Sequence, residues 1–180
     1  GDKALCVLPV WHVYEREIEY CLLYLECALC YSKPVGSIIM SDLKKIQPNF
    51  MACVPRVWDA IYKAIQKQVG ASSTGRWVLF KTCVGAASTI LRMYNIIHGR
   101  NQQFKPPLFI FKIVNKVRYI PILFLLPVKA LGEIVFFKKA RSVFGNNFKI
   151  GISGGGGLAP KLDKFYNSIG MRLVEGYGLT

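Results

Sequence analysis

The sequence predicts an α/β fold, a mostly parallel sheet flanked by helices. Three observations predict it. Short unbroken apolar runs read as strands buried on both faces. Stretches with a helical apolar period alternate with those runs. The final stretch, residues 149–180, reads strand, glycine loop, helix, strand, loop, which is one βαβ unit. The chain has 180 residues, 52% hydrophobic and 13% aromatic. That is enough for one domain with a sizeable core, and it excludes disorder.

Residues 4–10, ALCVLPV, form the first apolar run, and Pro9 sets its end near Trp11 and His12. His12 therefore falls just past a strand C-terminus. Residues 14–29 read as a helix with Ile18, Cys21, Leu22, Leu25 and Leu29 on one face. Glu15, Glu17 and Glu19 occupy its first turns, where acids suit the helix dipole. A connection at 31–36 leads to a short strand at 37–40. Ser41-Asp42-Leu43 then caps a short helix through Ile46, which Pro48 ends. Residues 50–54 are the next strand. Pro55 opens a helix over 56–69, with Val57, Trp58, Ile61, Ile65 and Val69 on one face. Trp58 reads as core and Arg56 as a helix-start residue without chemistry. A turn at 70–75 joins a longer helix at 77–98, and the two form a hairpin of connecting structure. Residues 99–107 are a polar loop. Residues 108–137 are apolar and basic, and read as two short helices broken at Pro121 and Pro127. A further helix at 138–144 stops at Gly145-Asn146-Asn147.

The last βαβ unit carries the chemistry. Strand 149–152 runs into Gly154-Gly155-Gly156-Gly157. Pro160 opens a helix whose Leu162, Phe165, Tyr166 and Ile169 share one face, and Gly170 stops it. Residues 171–175 are a second strand, followed by the loop Gly176-Tyr177-Gly178-Leu179-Thr180. Both loops fall at strand C-termini, the edge where open α/β sheets bind ligands. Backbone without Cβ takes positive φ and lets a flat ligand lie against the main chain. Free N–H groups of such a loop also bind oxyanions.

Net charge is +14, and residues 105–149 hold nine Lys/Arg against one acid, Glu133. No nucleic-acid motif accompanies that charge, and the mixture with long aliphatics fits an anionic membrane surface better than nucleic acid. The uncharged run 119–128 contains two prolines and is too short to span a bilayer, though it can lie on one. Six cysteines sit in apolar surroundings, with Cys27-x-x-Cys30 the single CxxC. A zinc site needs about four ligands, so these read as free thiols in a reducing cytoplasm, and no metal ligands are assigned. The chain begins at Gly1 and stops straight after a motif-like loop, as an excerpt of a longer protein would.

Three nucleotide-binding readings compete. A P-loop is excluded because no G-K-[ST] occurs. Gly154-x-Gly156-x-x-Ala159 with Glu175 ending the next strand matches a dinucleotide site, as in an NAD-dependent oxidoreductase. That reading leaves residues 176–180 without a role, and the match stands late in the chain instead of opening a domain. The third reading uses both loops: the glycines lie along a purine or acyl group, the Tyr177 ring stacks, and the Thr180 hydroxyl meets a phosphate. A non-catalytic basic amphipathic module that binds membrane is the reading from a different class.

Gly176-Tyr177-Gly178-Leu179-Thr180 resembles the adenine-binding signature of the AMP-forming, adenylate-forming enzymes. Ile152-Ser153-Gly154-Gly155-Gly156 resembles the glycine loop before it. Residues 8–16, LPVWHVYER, and 54–58, VPRVW, resemble the long-chain acyl-CoA synthetase branch. The landmarks follow the family order across essentially the whole chain. The resemblance implies a piece of the large N-terminal domain of a long-chain fatty acid–CoA ligase, cytoplasmic and peripheral to membrane, inactive as a fragment. It implies ATP, Mg2+ and coenzyme A as co-substrates. A fatty acid carboxylate attacks ATP to give acyl-AMP and pyrophosphate, and the coenzyme A thiol then displaces AMP. By motif, Tyr177 stacks on adenine, Gly154, Gly155, Gly156, Glu175, Gly176 and Gly178 line the nucleotide, Thr180 contacts the α-phosphate, and His12 sits near the carboxylate. The family's phosphate loop would lie upstream. Its Mg-binding glutamate, ribose-binding aspartate and catalytic lysine would lie downstream. Two departures stand out. Tyr14-Glu15-Arg16 occupies the neighbourhood where some bacterial relatives carry a gate tryptophan. The usual loop proline falls at Ala159, with Pro160 one place later.

Overall fold

The structure, a computed structural model, describes residues 1–70, 73–100 and 119–177. Five strands form one sheet: β1 (Lys3–Cys6), β2 (Ala28–Tyr31), β3 (Phe50–Cys53), β4 (Ile150–Ser153) and β5 (Leu173–Glu175). Their order is β2-β1-β3-β4-β5 and every pairing is parallel. The chain runs outward from β1 to β2, then returns to the other side of β1 as β3. The strand order therefore reverses at β1 and β3, the position at which open α/β sheets place their ligand crevice.

Helices cover both faces. α1 (Val13–Tyr24) lies on one, over a small cluster of Ala4, Leu22 and Cys27 with Ile18, Leu29 and Phe50. The opposite face carries α2 (Gly36–Ile46), α3 (Pro55–Gly70), α4 (Thr74–Ile97), a long helix and α7 (Pro160–Ser168). The long helix runs as α5 (Tyr119–Gly132), a π-helical turn (Glu133–Phe137) and α6 (Lys138–Arg141). Trp58 sits at the centre of the core, stacked on Phe144 and edge-on to Tyr166, whose hydroxyl donates to the Trp58 carbonyl at 2.7 Å. Gly151 of β4 makes room for that indole, since a Cβ there would lie 2.5 Å from Trp58 Cη2. In α7 the expected face holds: Leu162, Phe165, Tyr166 and Ile169 are all buried. Gly170, with φ +79°, ends the helix in the left-handed conformation that glycine adopts without strain.

Three expectations are corrected. The first helix stops at Tyr24, not Leu29, because Glu26 takes φ 56° and turns the chain back into β2. Nothing in its apolar run marks that break, since a non-glycine residue makes it. Residues 37–40 are the opening turns of α2, not a strand. Ile39 and Leu43, four apart, share the core, and Gln47 at φ 49° ends that helix. Pro121 and Pro127 do not break residues 119–141, which form one continuous helix. Its inner side, with Phe136, Phe137 and Ala140, is buried. A Cβ on Gly132 would lie 2.8 Å from Cys83 Cβ, so this helix and α4 cross closely there. Of the three acids at the start of α1, Glu15 and Glu19 are buried and Glu17 is exposed.

Candidate functional site

The site is built where strands β1, β3, β4 and β5 end. After β1, the His12 N–H bonds to the Pro9 carbonyl at 2.9 Å and the chain enters α1 with His12 as N-cap. His12 Nδ1 accepts the Tyr14 N–H at 3.2 Å. In the neutral ring that places the proton on Nε2. His12 is half-buried.

The Tyr14 side chain crosses from α1 to the glycine loop. A Cβ on Gly154 would lie 2.6 Å from the Tyr14 ring, so this glycine is required by close packing. The Gly154 N–H donates to the Cys53 carbonyl at 3.2 Å, which ties the loop to the end of β3. Gly155 has φ +71° and faces Val54. Gly156 approaches the Pro55 ring, and nothing crowds Gly157. Gly154 is buried, whereas Gly155, Gly156 and Gly157 are exposed along the edge. Two hydroxyls beside this loop, Tyr14 Oη and Ser153 Oγ, are buried with no hydrogen-bond partner among the described residues. Burial raises the Tyr14 phenol well above its ordinary range, with Cys53 and then Glu15 adding to the effect.

The second loop is fastened to the first. The Gly176 N–H donates to the Ser153 carbonyl at 2.8 Å, and Glu175 Oε1 accepts the Leu158 N–H at 2.7 Å. Glu175 thereby spans the two loops. Tyr177 follows, 92% exposed. Ala159 is the N-cap of α7, in extended conformation and without a side-chain cap, and Pro160 takes the first helical position. The one-residue shift of the proline is thus accommodated at the start of a regular helix.

Of the residues singled out from sequence, Gly154, Gly155, Gly156, Glu175, Gly176 and Tyr177 come together at one edge. His12 joins them through Tyr14. Gly178 and Thr180 lie outside the described residues. Sequence reasoning missed Tyr14 as the packing partner of Gly154 and missed the orphaned Ser153 hydroxyl. The available signal was the run of four glycines, whose first member needed a reason to exclude Cβ. All six cysteines are free.

The chain matches the family model of the AMP-binding enzyme over residues 1–180. It is 39% identical to the long-chain-fatty-acid–[acyl-carrier-protein] ligase AEE15, chloroplastic, of Arabidopsis thaliana, covering 100% of this chain and 25% of that protein. It is 36% identical to the probable acyl-activating enzyme 16, chloroplastic, of the same plant, over 100% of this chain and 25% of the relative. It is 24% identical to that plant's long chain acyl-CoA synthetase 5, over 99% of this chain and 23% of the relative. The chain therefore spans about a quarter of the length of the curated relatives it matches. No solved structure matches it.

Proposed function

This chain belongs to the AMP-binding enzyme family, and from that premise we propose that it is part of the nucleotide-binding N-terminal domain of a long-chain fatty acid ligase. One observation supports the reading above the others. The glycine loop after β4 and the loop after β5 are hydrogen-bonded to each other at the sheet's C-terminal edge, with the Tyr177 ring open to solvent beside them. The dinucleotide alternative fits less well, because it gives no role to the loop after β5, where Tyr177 stands exposed beside the glycine loop.

In this reading Tyr177 stacks on adenine, and Gly154, Gly155, Gly156, Glu175 and Gly176 line the nucleotide. By motif, Gly178 also lines the nucleotide and Thr180 contacts the α-phosphate, and His12 sits near the fatty acid carboxylate. The carboxylate oxygen attacks the α-phosphorus of ATP, which enters with its Mg2+. Pyrophosphate leaves and acyl-AMP remains. A thiol sulfur then attacks the acyl carbon and AMP leaves. The enzyme's contribution is positioning and charge neutralisation. The acceptor is a phosphopantetheine thiol. Coenzyme A carries one, and so does the acyl-carrier protein named for one relative. The remaining catalytic parts belong to the rest of the protein, so this stretch expressed alone is expected to be inactive.

The outer side of the helix Tyr119–Arg141 supports a peripheral contact with an anionic membrane. An 18-residue stretch of the helix has mean hydropathy 2.0, and among the described residues this helix is the one long and apolar enough to cross a membrane. Its inner side is packed on α4, which favours lying on a surface over spanning. Leu123, Phe124 and Ile134 are exposed, with Lys138 and Lys139 at its end. Free thiols are consistent with a reducing compartment; both the cytoplasm expected from sequence and the chloroplast named for two relatives fit. Persistent sedimentation with anionic liposomes after mutation of the glycine loops would instead favour the non-catalytic membrane module.

The test uses the full-length protein with ATP, Mg2+ and a panel of fatty acids, reading pyrophosphate release. Coenzyme A and holo-acyl-carrier protein are then compared as acceptors by thioester formation. Fatty-acid-dependent release is the expected outcome. Absence of release with every acid, together with NAD binding, would overturn the ligase reading.

A further inference from the structure

A second cluster, independent of the nucleotide edge, lies between β1 and α1. The Cys6 sulfur and one carboxylate oxygen each from Glu15 and Glu19 all fall within 4.8 Å of one another. All three residues are buried, Glu15 at 1% exposure and Glu19 at 9%. Glu15 Oε2 and Glu19 Oε1 have no hydrogen-bond partner, and neither acid joins a salt bridge among the described residues. Two buried carboxylates beside a buried thiol, each with an unpartnered oxygen, are costly unless a positive charge or protons are taken up. We propose that Cys6, Glu15 and Glu19 bind one zinc-like divalent cation.

The donor set selects the metal. A thiolate with two carboxylates suits Zn2+, at about 2.3 Å for sulfur and about 2.0–2.2 Å for oxygen. Magnesium and calcium prefer all-oxygen sets and so fit poorly. Three protein donors leave the fourth tetrahedral position to water. The scaffold is suited to hold them: Glu15 and Glu19 are one turn apart on α1, and Cys6 is the last residue of β1. The ion would clamp the start of α1 to the sheet. That start carries His12 and Tyr14, so the clamp would fix the helix whose ring packs on Gly154.

The test is run on full-length protein purified without chelator. Elemental analysis is expected to give about one zinc per chain. After exchange, Co2+ is expected to produce a near-ultraviolet thiolate-to-cobalt charge-transfer band. Cys6→Ser should abolish that band, and Cys27→Ser, in the CxxC, should leave it. Glu19→Gln should weaken Co2+ binding at least tenfold, on the order of the loss seen when metal-site support is removed. A metal-free protein that gives no band with added Co2+ would overturn the site and leave a proton-sharing pair. A band that survives Cys6→Ser in folded protein would overturn it too. Should Cys6→Ser fail to fold, the wild-type spectrum and the Glu19→Gln titration still decide.

Discussion

Gly154, Gly155 and Gly157 look alike in the sequence and differ in the fold. A methyl on Gly154 would enter the Tyr14 ring, whereas a methyl on Gly157 would meet open space. Gly154→Ala should therefore destabilise by about 1–3 kcal/mol, the usual range for overpacking, and should raise the KM for ATP. Gly157→Ala should stay near wild type. Gly155→Ala falls between them, since φ +71° strains any residue with a Cβ by about 1–2 kcal/mol. Urea denaturation and ATP titration of the three variants check the ranking. A second residue-scale prediction concerns Tyr166, whose hydroxyl bonds to the Trp58 carbonyl in the core. Tyr166→Phe removes that hydrogen bond, while the Trp58 carbonyl keeps its helical partner in α3, and should lose about 0.5–1.5 kcal/mol in the same denaturation experiment. Composition and spacing pointed to a glycine-lined site, but which glycine is irreplaceable depends on Tyr14, a residue far away in sequence.

Arg141 ends the long helix Tyr119–Arg141, pairs with Glu133 of the same helix and reaches a neighbouring one. Arg141 Nη1 donates to Glu133 Oε2 at 3.0 Å and to the Ile169 carbonyl at 2.5 Å, which ties the helix to the end of α7. The hydrogen bond from Arg141 holds the Glu133 carboxyl below its ordinary range, against an opposing effect of partial burial. A depressed carboxyl adds stability above its unfolded pKa, and that stability is lost as pH falls through the folded value. The melting temperature of Glu133→Gln should lie below wild type at pH 6, and the gap should close toward pH 3. Equal gaps at both pH values would show that the pair does not titrate with folding. This helix was only partly legible in the sequence. Its apolar and basic composition was plain, but two prolines argued for breaks. Continuity depends on packing against α4, including the close approach of Gly132 to Cys83, and no local pattern encodes that contact. The missed β2 has the same origin, because Glu26 makes the turn that a glycine would have announced.

For the whole molecule, the parallel sheet was legible because each inner strand is an unbroken apolar run and each crossover is helical. Its order was not, since β1 pairs on both sides with strands that follow it and only contacts between distant segments set that reversal. The order sets the loops after β1 and β3 side by side at the point of reversal and brings the β4 and β5 loops beside them. The nucleotide reading rests on that arrangement, and Tyr177 is its most exposed member. The decisive measurement is the KM for ATP in fatty-acid-dependent pyrophosphate release by the full-length protein, for wild type, Tyr177→Phe and Tyr177→Ala. Stacking of a base on an aromatic ring is worth about 1–3 kcal/mol, so Tyr177→Ala should raise that KM roughly 5- to 150-fold. Tyr177→Phe should stay close to wild type. A Tyr177→Ala enzyme with unchanged KM for ATP would contradict the account, because adenine would then bind away from this edge.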